Sequence, residues 1–147
     1  MTQAIQPHAL TLSQIAEQAN LWPVSDPDFF DEWQTDLPPL SAAELSAIER
    51  IKTEFLYLSK YPLLEDLVKM VVLSPLLSLA GFYSPPLRLV LEQRVDVALQ
   101  DGEKMVWGRI DILTLFRQVW VAVIESKQAG FSLKDATAQT LFYMLAV

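Results

Sequence analysis

Three residues in the C-terminal half have the types and the spacing to do chemistry. Asp111 lies inside Ile110-Asp111-Ile112-Leu113, and after 13 intervening residues Glu125-Ser126-Lys127 closes the apolar run VWVAVI. A carboxylate in the middle of an apolar strand is strongly destabilised by desolvation unless a cation or hydrogen bonds compensate it. Residues i and i+2 of a strand point to the same side, so Glu125 and Lys127 share one face. Taken alone, that pair reads as a solvated strand end. An acid from the neighbouring strand on the same face changes the reading. Two carboxylates and an ammonium are what metal-assisted phosphodiester hydrolysis requires: the acids hold one or two Mg²⁺ ions, which neutralise phosphate and acidify water, and the lysine orients that water. With oxygen donors alone, Mg²⁺ or Mn²⁺ is favoured over zinc. The competing reading is a plain structural domain in which Asp111 and Lys127 form a buried ion pair with no room for an ion.

Whether these residues meet depends on the strands that carry them. Residues 87–99 alternate as a strand does, and Asp101-Gly102 is a hairpin turn signal. Residues 105–115 and 119–126 read as the second and third strands, joined by a short turn around Phe116-Arg117-Gln118. If that turn has three residues centred on Arg117, strand partners sum to 234, and Asp111 sits opposite Val123 with Glu125 as its diagonal neighbour on the same face. A turn of even length moves the two acids to opposite faces.

Helices flank the strands. Thr11-Leu12-Ser13-Gln14 is a helix start, and Asp26-Pro27-Asp28 opens a second segment with Phe29, Phe30 and Trp33 on one side. Ser41-Ala42-Ala43-Glu44 has the capping-box pattern ahead of an apolar stripe of Leu45, Ile48, Ile51, Phe55 and Leu58. Tyr61-Pro62 closes that helix, and Pro62 suits the first turn of the next, LLEDLVKMVVLSPLLSLAGF. Ser132-Leu133-Lys134-Asp135 starts a final helix with the same capping pattern. The expected architecture is a mixed α+β fold in one compact domain: an N-terminal helical extension over residues 1–60, packed on a core over residues 61–147.

Composition narrows the chemistry. The 147 residues are 52% apolar, enough for one core with a surplus suited to a subunit interface. There is no cysteine and one histidine, His8, near the terminus, so Ser-His-Asp, Cys-His and zinc mechanisms are excluded. The formal net charge of −7 argues against a protein that coats nucleic acid nonspecifically. The longest uncharged run, residues 70–87, is interrupted by Ser74-Pro75, Gly81 and Pro85-Pro86, which favours a buried helix ending in a loop over a membrane span. The first residues show no basic region followed by an apolar one, so a cytoplasmic protein without membrane association is expected.

The pattern resembles the PD-(D/E)xK nuclease superfamily, whose signature is an acid on the second core strand and Glu/Asp-x-Lys on the third. Here these are Gly108-Arg109-Ile110-Asp111 and Glu125-Ser126-Lys127, with Ile110 where a proline often stands. Gln139-Thr140-Leu141-Phe142-Tyr143 resembles the Q-x-x-x-Y element of the RecB-type branch, and Glu65 the extra acid on the helix before the first strand. More narrowly, DEWQTDLP, YPLLEDLVKMVVLSPLLSLAGFY, GRIDIL and VIESKQAGFSL together resemble small cyanobacterial-type proteins of the restriction endonuclease subunit R-like kind. The resemblance implies a restriction-endonuclease-like α-β-β-β-α core and a Mg²⁺- or Mn²⁺-dependent DNA endonuclease. In it Asp111, Glu125 and Glu65 hold metal, Lys127 and Gln139 assist catalysis, and Arg109 and Tyr143 meet substrate. It also implies DNA as a partner, and a homodimer or a subunit of a larger restriction-type complex. The alternative is a nuclease-fold protein without cleavage activity that serves as a binding or assembly module. The fourth core strand implied by the resemblance has no counterpart before Val147, so a chain cut short of it, with an open sheet edge, is expected. No G-x-x-x-x-G-K-[ST] run is present, so this sequence carries no P-loop motor.

Overall fold

The computed structural model describes residues 11–31, 34–98, 105–128, 130 and 132–145. His8, Trp33 and the Asp101-Gly102 turn lie outside the described residues. Among the described residues the chain is a mixed α and β structure in which five α-helical segments flank one three-stranded antiparallel sheet, in the order β1-β2-β3.

The N-terminal helices start where their caps dictate. Helix α1 (Leu12–Ala19) opens on a reciprocal box: the Gln14 N–H donates to Thr11 Oγ1 at 3.3 Å, and the Thr11 N–H donates to Gln14 Oε1 at 2.8 Å. Helix α2 (Ala42–Leu58) repeats the device with Ser41 and Glu44 at 3.2 and 2.7 Å. Between them, residues 27–30 form turns in place of the segment expected after Asp26, and Phe29 and Phe30 are left exposed in edge-to-face contact.

The third helical stretch differs from its expected form. Pro62 does not open it; Leu63 is buried, Leu64 is extended, and helix α3 begins at Glu65 (Glu65–Val68). The helix does not break at Ser74-Pro75 either. A π-helical turn (Lys69–Leu73) leads into helix α4 (Ser74–Leu79), with Pro75 in its first turn. Proline lacks an N–H and its ring crowds the carbonyl of the preceding turn, and a wider turn relieves both. The stretch is not buried as a whole: Leu77 is in the core, while Met70 is 70% exposed.

Strand β1 (Leu87–Ala98) pairs with β2 (Met105–Phe116) in a register whose partners sum to 203 throughout, from Leu87↔Phe116 to Ala98↔Met105. Glu92 drops out of that ladder with φ +54°, a left-handed conformation rare for a non-glycine residue, directly across from Asp111. Strand β2 is the buried one: Ile110, Ile112, Leu113, Thr114 and Leu115 are successive or nearly so, which means both its faces are covered. Strand β3 (Val119–Ile124) is an edge, with Val119 and Val121 exposed, so its apolar run is not buried on both faces.

The β2–β3 turn corrects one expectation and preserves its consequence. It has two residues, Arg117 and Gln118, with Arg117 at φ +58°, and the first partners sum to 235. A bulge at Val121 then shifts the register, and from Thr114↔Ala122 onward partners sum to 236. The even turn alone would have put Asp111 and Glu125 on opposite faces; the extra residue restores the parity. Continued one step past Ile112↔Ile124, the register sets Asp111 across from Glu125, in place of Val123.

Helix α5 (Leu133–Met144) lies against β3 and α1, and Ala138, Phe142 and Tyr143 join Ile15, Ile110 and Leu113 in the main core. Its start is capped by Ser132, whose Oγ accepts from the Lys134 N–H at 3.2 Å; the Asp135 side chain of the expected box lies outside the described residues. Gly130, just upstream, has φ +93°, a value that favours glycine where the chain turns from the strand toward α5. Among the described residues no helix is long and apolar enough to cross a membrane.

Candidate functional site

The sheet end where β3 stops is closed by side chains in place of ladder hydrogen bonds. Glu125 lies one residue past the strand, and its Oε1 accepts the Asp111 N–H at 3.3 Å. In return Asp111 Oδ2 accepts from the Ser126 N–H at 2.8 Å and from Ser126 Oγ at 3.0 Å. Each acid thus satisfies a backbone donor of the other's segment, a role the ladder would have filled had it continued. Third, Lys127 Nζ stands 3.3 Å from Glu125 Oε2.

Helix α3 delivers a second layer. Glu65 and Lys69 are four residues apart and share a helix face, and Lys69 Nζ lies 3.1 Å from Glu65 Oε1. The same ammonium lies 3.0 Å from Asp111 Oδ1, so it bridges helix and sheet. Glu92 Oε1 and Asp66 Oδ1 stand further off at 3.8 and 3.9 Å. Ser126 Oγ also approaches Glu65 Oε1 at 3.2 Å, so its one proton is shared between Glu65 and Asp111. Glu65 and Lys69 thus pair one helical turn apart, and Asp111 pairs with Lys69 where the structural alternative had Lys127.

These contacts move the titrations in opposite directions. Burial pushes the Glu125 carboxyl up to about 7, helped by the nearby Asp111 charge and only partly offset by Lys127. Burial acts against Asp111 too, but the Ser126 N–H and the Lys69 ammonium outweigh it and hold the carboxyl below its ordinary value. Lys69 loses hydration on burial, yet its bonds to Asp111 and Glu65 keep it protonated well above the ordinary lysine range.

A cleft of about 420 Å³ opens beside this cluster, walled by Lys69, Met70, Tyr83, Leu91, Glu92 and Asp111. Glu125 is not on its wall, and the Glu125 side chain is only 2% exposed. Asp111 therefore faces the cleft from one side while Glu125 closes the layer behind it.

The remaining expected residues divide. Arg109 is exposed and pairs with Glu92 at 3.3 Å, which keeps its guanidinium near the cleft. Tyr143 is buried, and its hydroxyl accepts from the Arg109 N–H at 3.1 Å and from Gln139 Nε2 at 2.9 Å. Burial raises its pKa. Gln139 and Tyr143 thus fasten α5 to β2 and make no hydrogen bond to Asp111, Glu125 or Lys127. Glu92, Ser126 and the Lys69–Asp111 contact had not been expected. Glu92 was within reach of sequence reasoning, because a two-residue turn at Asp101-Gly102 sets it opposite Asp111; Ser126 gave no signal.

Among the described residues no three acid or histidine side chains are already arranged around a vacant ion position. The donor chemistry nonetheless fits a hard divalent cation: Glu65 Oε1 and Asp111 Oδ1 converge within 3.1 Å of a single positive charge, that of Lys69. No family model matches the chain, and no match was found among curated proteins or solved structures.

Proposed function

We propose that this chain is a metal-dependent, endonuclease-like domain acting on the phosphodiester bonds of DNA, with a restriction-endonuclease-like core of the PD-(D/E)xK type. The observation that carries the reading is the clasp between Asp111 and Glu125-Ser126-Lys127, with Glu65 reaching the same point from α3. A bound Mg²⁺ or Mn²⁺ supplies positive charge against the phosphate and activates water. Asp111 and Glu65 would hold it, with Glu125, directly behind Asp111, as the third acid. Lys127, kept in place by Glu125, offers an ammonium to developing negative charge. Arg109, exposed and paired with the cleft residue Glu92, is the arginine that would meet a phosphate. The exposed Val119 and Val121 on β3 support a partner chain at that edge, in a homodimer or a larger restriction-type complex.

The direct test is cleavage of plasmid DNA with Mg²⁺ or Mn²⁺. Glu125→Ala and Lys127→Ala should each lower the rate on the order of 100-fold or more. Undiminished cleavage in both variants sinks the assignment.

One observation favours a second reading, a nuclease-fold module that does not cut: the Lys69 ammonium already neutralises Glu65 and Asp111. That reading predicts a folded protein that takes up no Mn²⁺ in calorimetric titration.

A further inference from the structure

We infer that Lys69 is an internal competitor for the divalent ion, and that metal enters by displacing its ammonium from Asp111 and Glu65 toward Glu92. This deepens the metal-dependent reading and rests on it. The ammonium lies 3.0 Å from Asp111 Oδ1 and 3.1 Å from Glu65 Oε1, contacts that a hard cation needs for itself. A divalent ion and an ammonium on the same two carboxylate oxygens repel each other at close range, which favours departure of the lysine. The cleft supplies a destination. Glu92 Oε1 is 3.8 Å away and Asp66 Oδ1 3.9 Å, and both side chains are more exposed than Asp111, at 52% and 94% against 12%. A lysine carries its charge on four methylenes and can change partner without moving the helix.

Glu92 stands in that second station by virtue of its backbone. It is the one residue of the β1–β2 register between Leu87 and Ala98 that leaves the ladder, and its φ of +54° accompanies a side chain set between Lys69 and Arg109. Left-handed non-glycine residues persist where surrounding contacts hold them. The ammonium therefore has two stations, an inner one on Asp111 and Glu65 and an outer one on Glu92 and Asp66. The apo cluster is preserved by the first, and the ion-loaded cluster keeps its lysine paired through the second.

The experiment is Mn²⁺ titration calorimetry on the parent protein, Lys69→Met and Lys69→Arg. Removing the competing charge should tighten Mn²⁺ binding about tenfold or more, while Lys69→Arg should bind no more tightly than the parent. Equal Mn²⁺ affinity in the parent and a folded Lys69→Met overturns the inference and leaves the metal-dependent reading standing. No binding by either folded protein overturns both. A measurement that does not need Lys69→Met covers the case in which that variant does not fold: the parent's lysine ammonium ¹H–¹⁵N signal, assigned by its loss in Lys69→Arg, should move toward that of a solvated lysine as Mg²⁺ saturates. A signal that stays in place while Mg²⁺ binds overturns the inference.

Discussion

Asp111 and Glu125 face each other across the end of one sheet and are nonetheless opposite kinds of carboxylate. Asp111 has a backbone N–H, a hydroxyl and an ammonium on its two oxygens. Glu125 has one longer backbone bond and one lysine at 3.3 Å. Burial disfavours the charged form of both, and their surroundings decide the outcome: the donors around Asp111 keep it ionised below its ordinary range, while Glu125, with fewer donors and the Asp111 charge beside it, rises to about 7. A third oxygen completes the scale, for Thr114 Oγ1 is fully buried on β2 with no hydrogen-bond partner among the described residues. The lesson is that position on one strand end does not set the electrostatics; the donors and the neighbouring charge do.

Isosteric substitutions should follow that scale in sign as well as size. Asp111→Asn removes the charge on which Lys69 and Ser126 converge, and should destabilise the fold by about 3 kcal/mol in urea unfolding at pH 8. A loss under about 0.5 kcal/mol would show that the donors around Asp111 are not its support. Glu125→Gln mimics the protonated acid and should instead stabilise by about 1–2 kcal/mol at pH 8. The pH dependence carries the same sign. Between the ordinary value of 4.5 and about 7 the folded chain retains the Glu125 proton that the unfolded chain gives up, so this group makes stability fall as pH rises through that window. Glu125→Gln should flatten that slope in unfolding measured from pH 4.5 to 8. Asp111 works the other way: its contribution is present above its ordinary value and is lost as pH falls below it.

Tyr143→Phe leaves the Arg109 N–H without its acceptor, and should cost about 1 kcal/mol while Mn²⁺ binding stays unchanged. A change in Mn²⁺ affinity would return Tyr143 to the site. Thr114→Val removes the unpartnered hydroxyl at similar volume and should stabilise by about 1 kcal/mol or less, read as a small rise in Tm.

What the sequence disclosed follows the range of each interaction. The boxes at Thr11/Gln14 and Ser41/Glu44 are local and were readable, as were the three strands and the final helix. The shared face of Asp111 and Glu125 was reached through a three-residue turn that does not exist; a two-residue turn and a bulge at Val121 give the same parity. A bulge depends on packing across the sheet, and nothing in VWVAVI announces it. Lys69 was legible as the partner of Glu65, four residues away, but not as the partner of Asp111, 42 residues away. Gln139 and Tyr143 share a helix face as their spacing requires, yet the core claims that face. Periodicity states which residues lie together and leaves open whether they look toward solvent or inward.

The π-helical turn between α3 and α4 can also be counted as helical phase. One residue of α-helix is about 100° of rotation, and a wide turn holds one residue more than the α-helical turn it replaces. Leu77, anchored in the core beyond the turn, and Lys69, set on Asp111 at its start, are therefore in phase only because the extra residue is there. Deleting a single residue within Lys69–Leu73 would keep either anchor and rotate the other off its target, so the length of this stretch is under tighter constraint than its exposed Met70 implies.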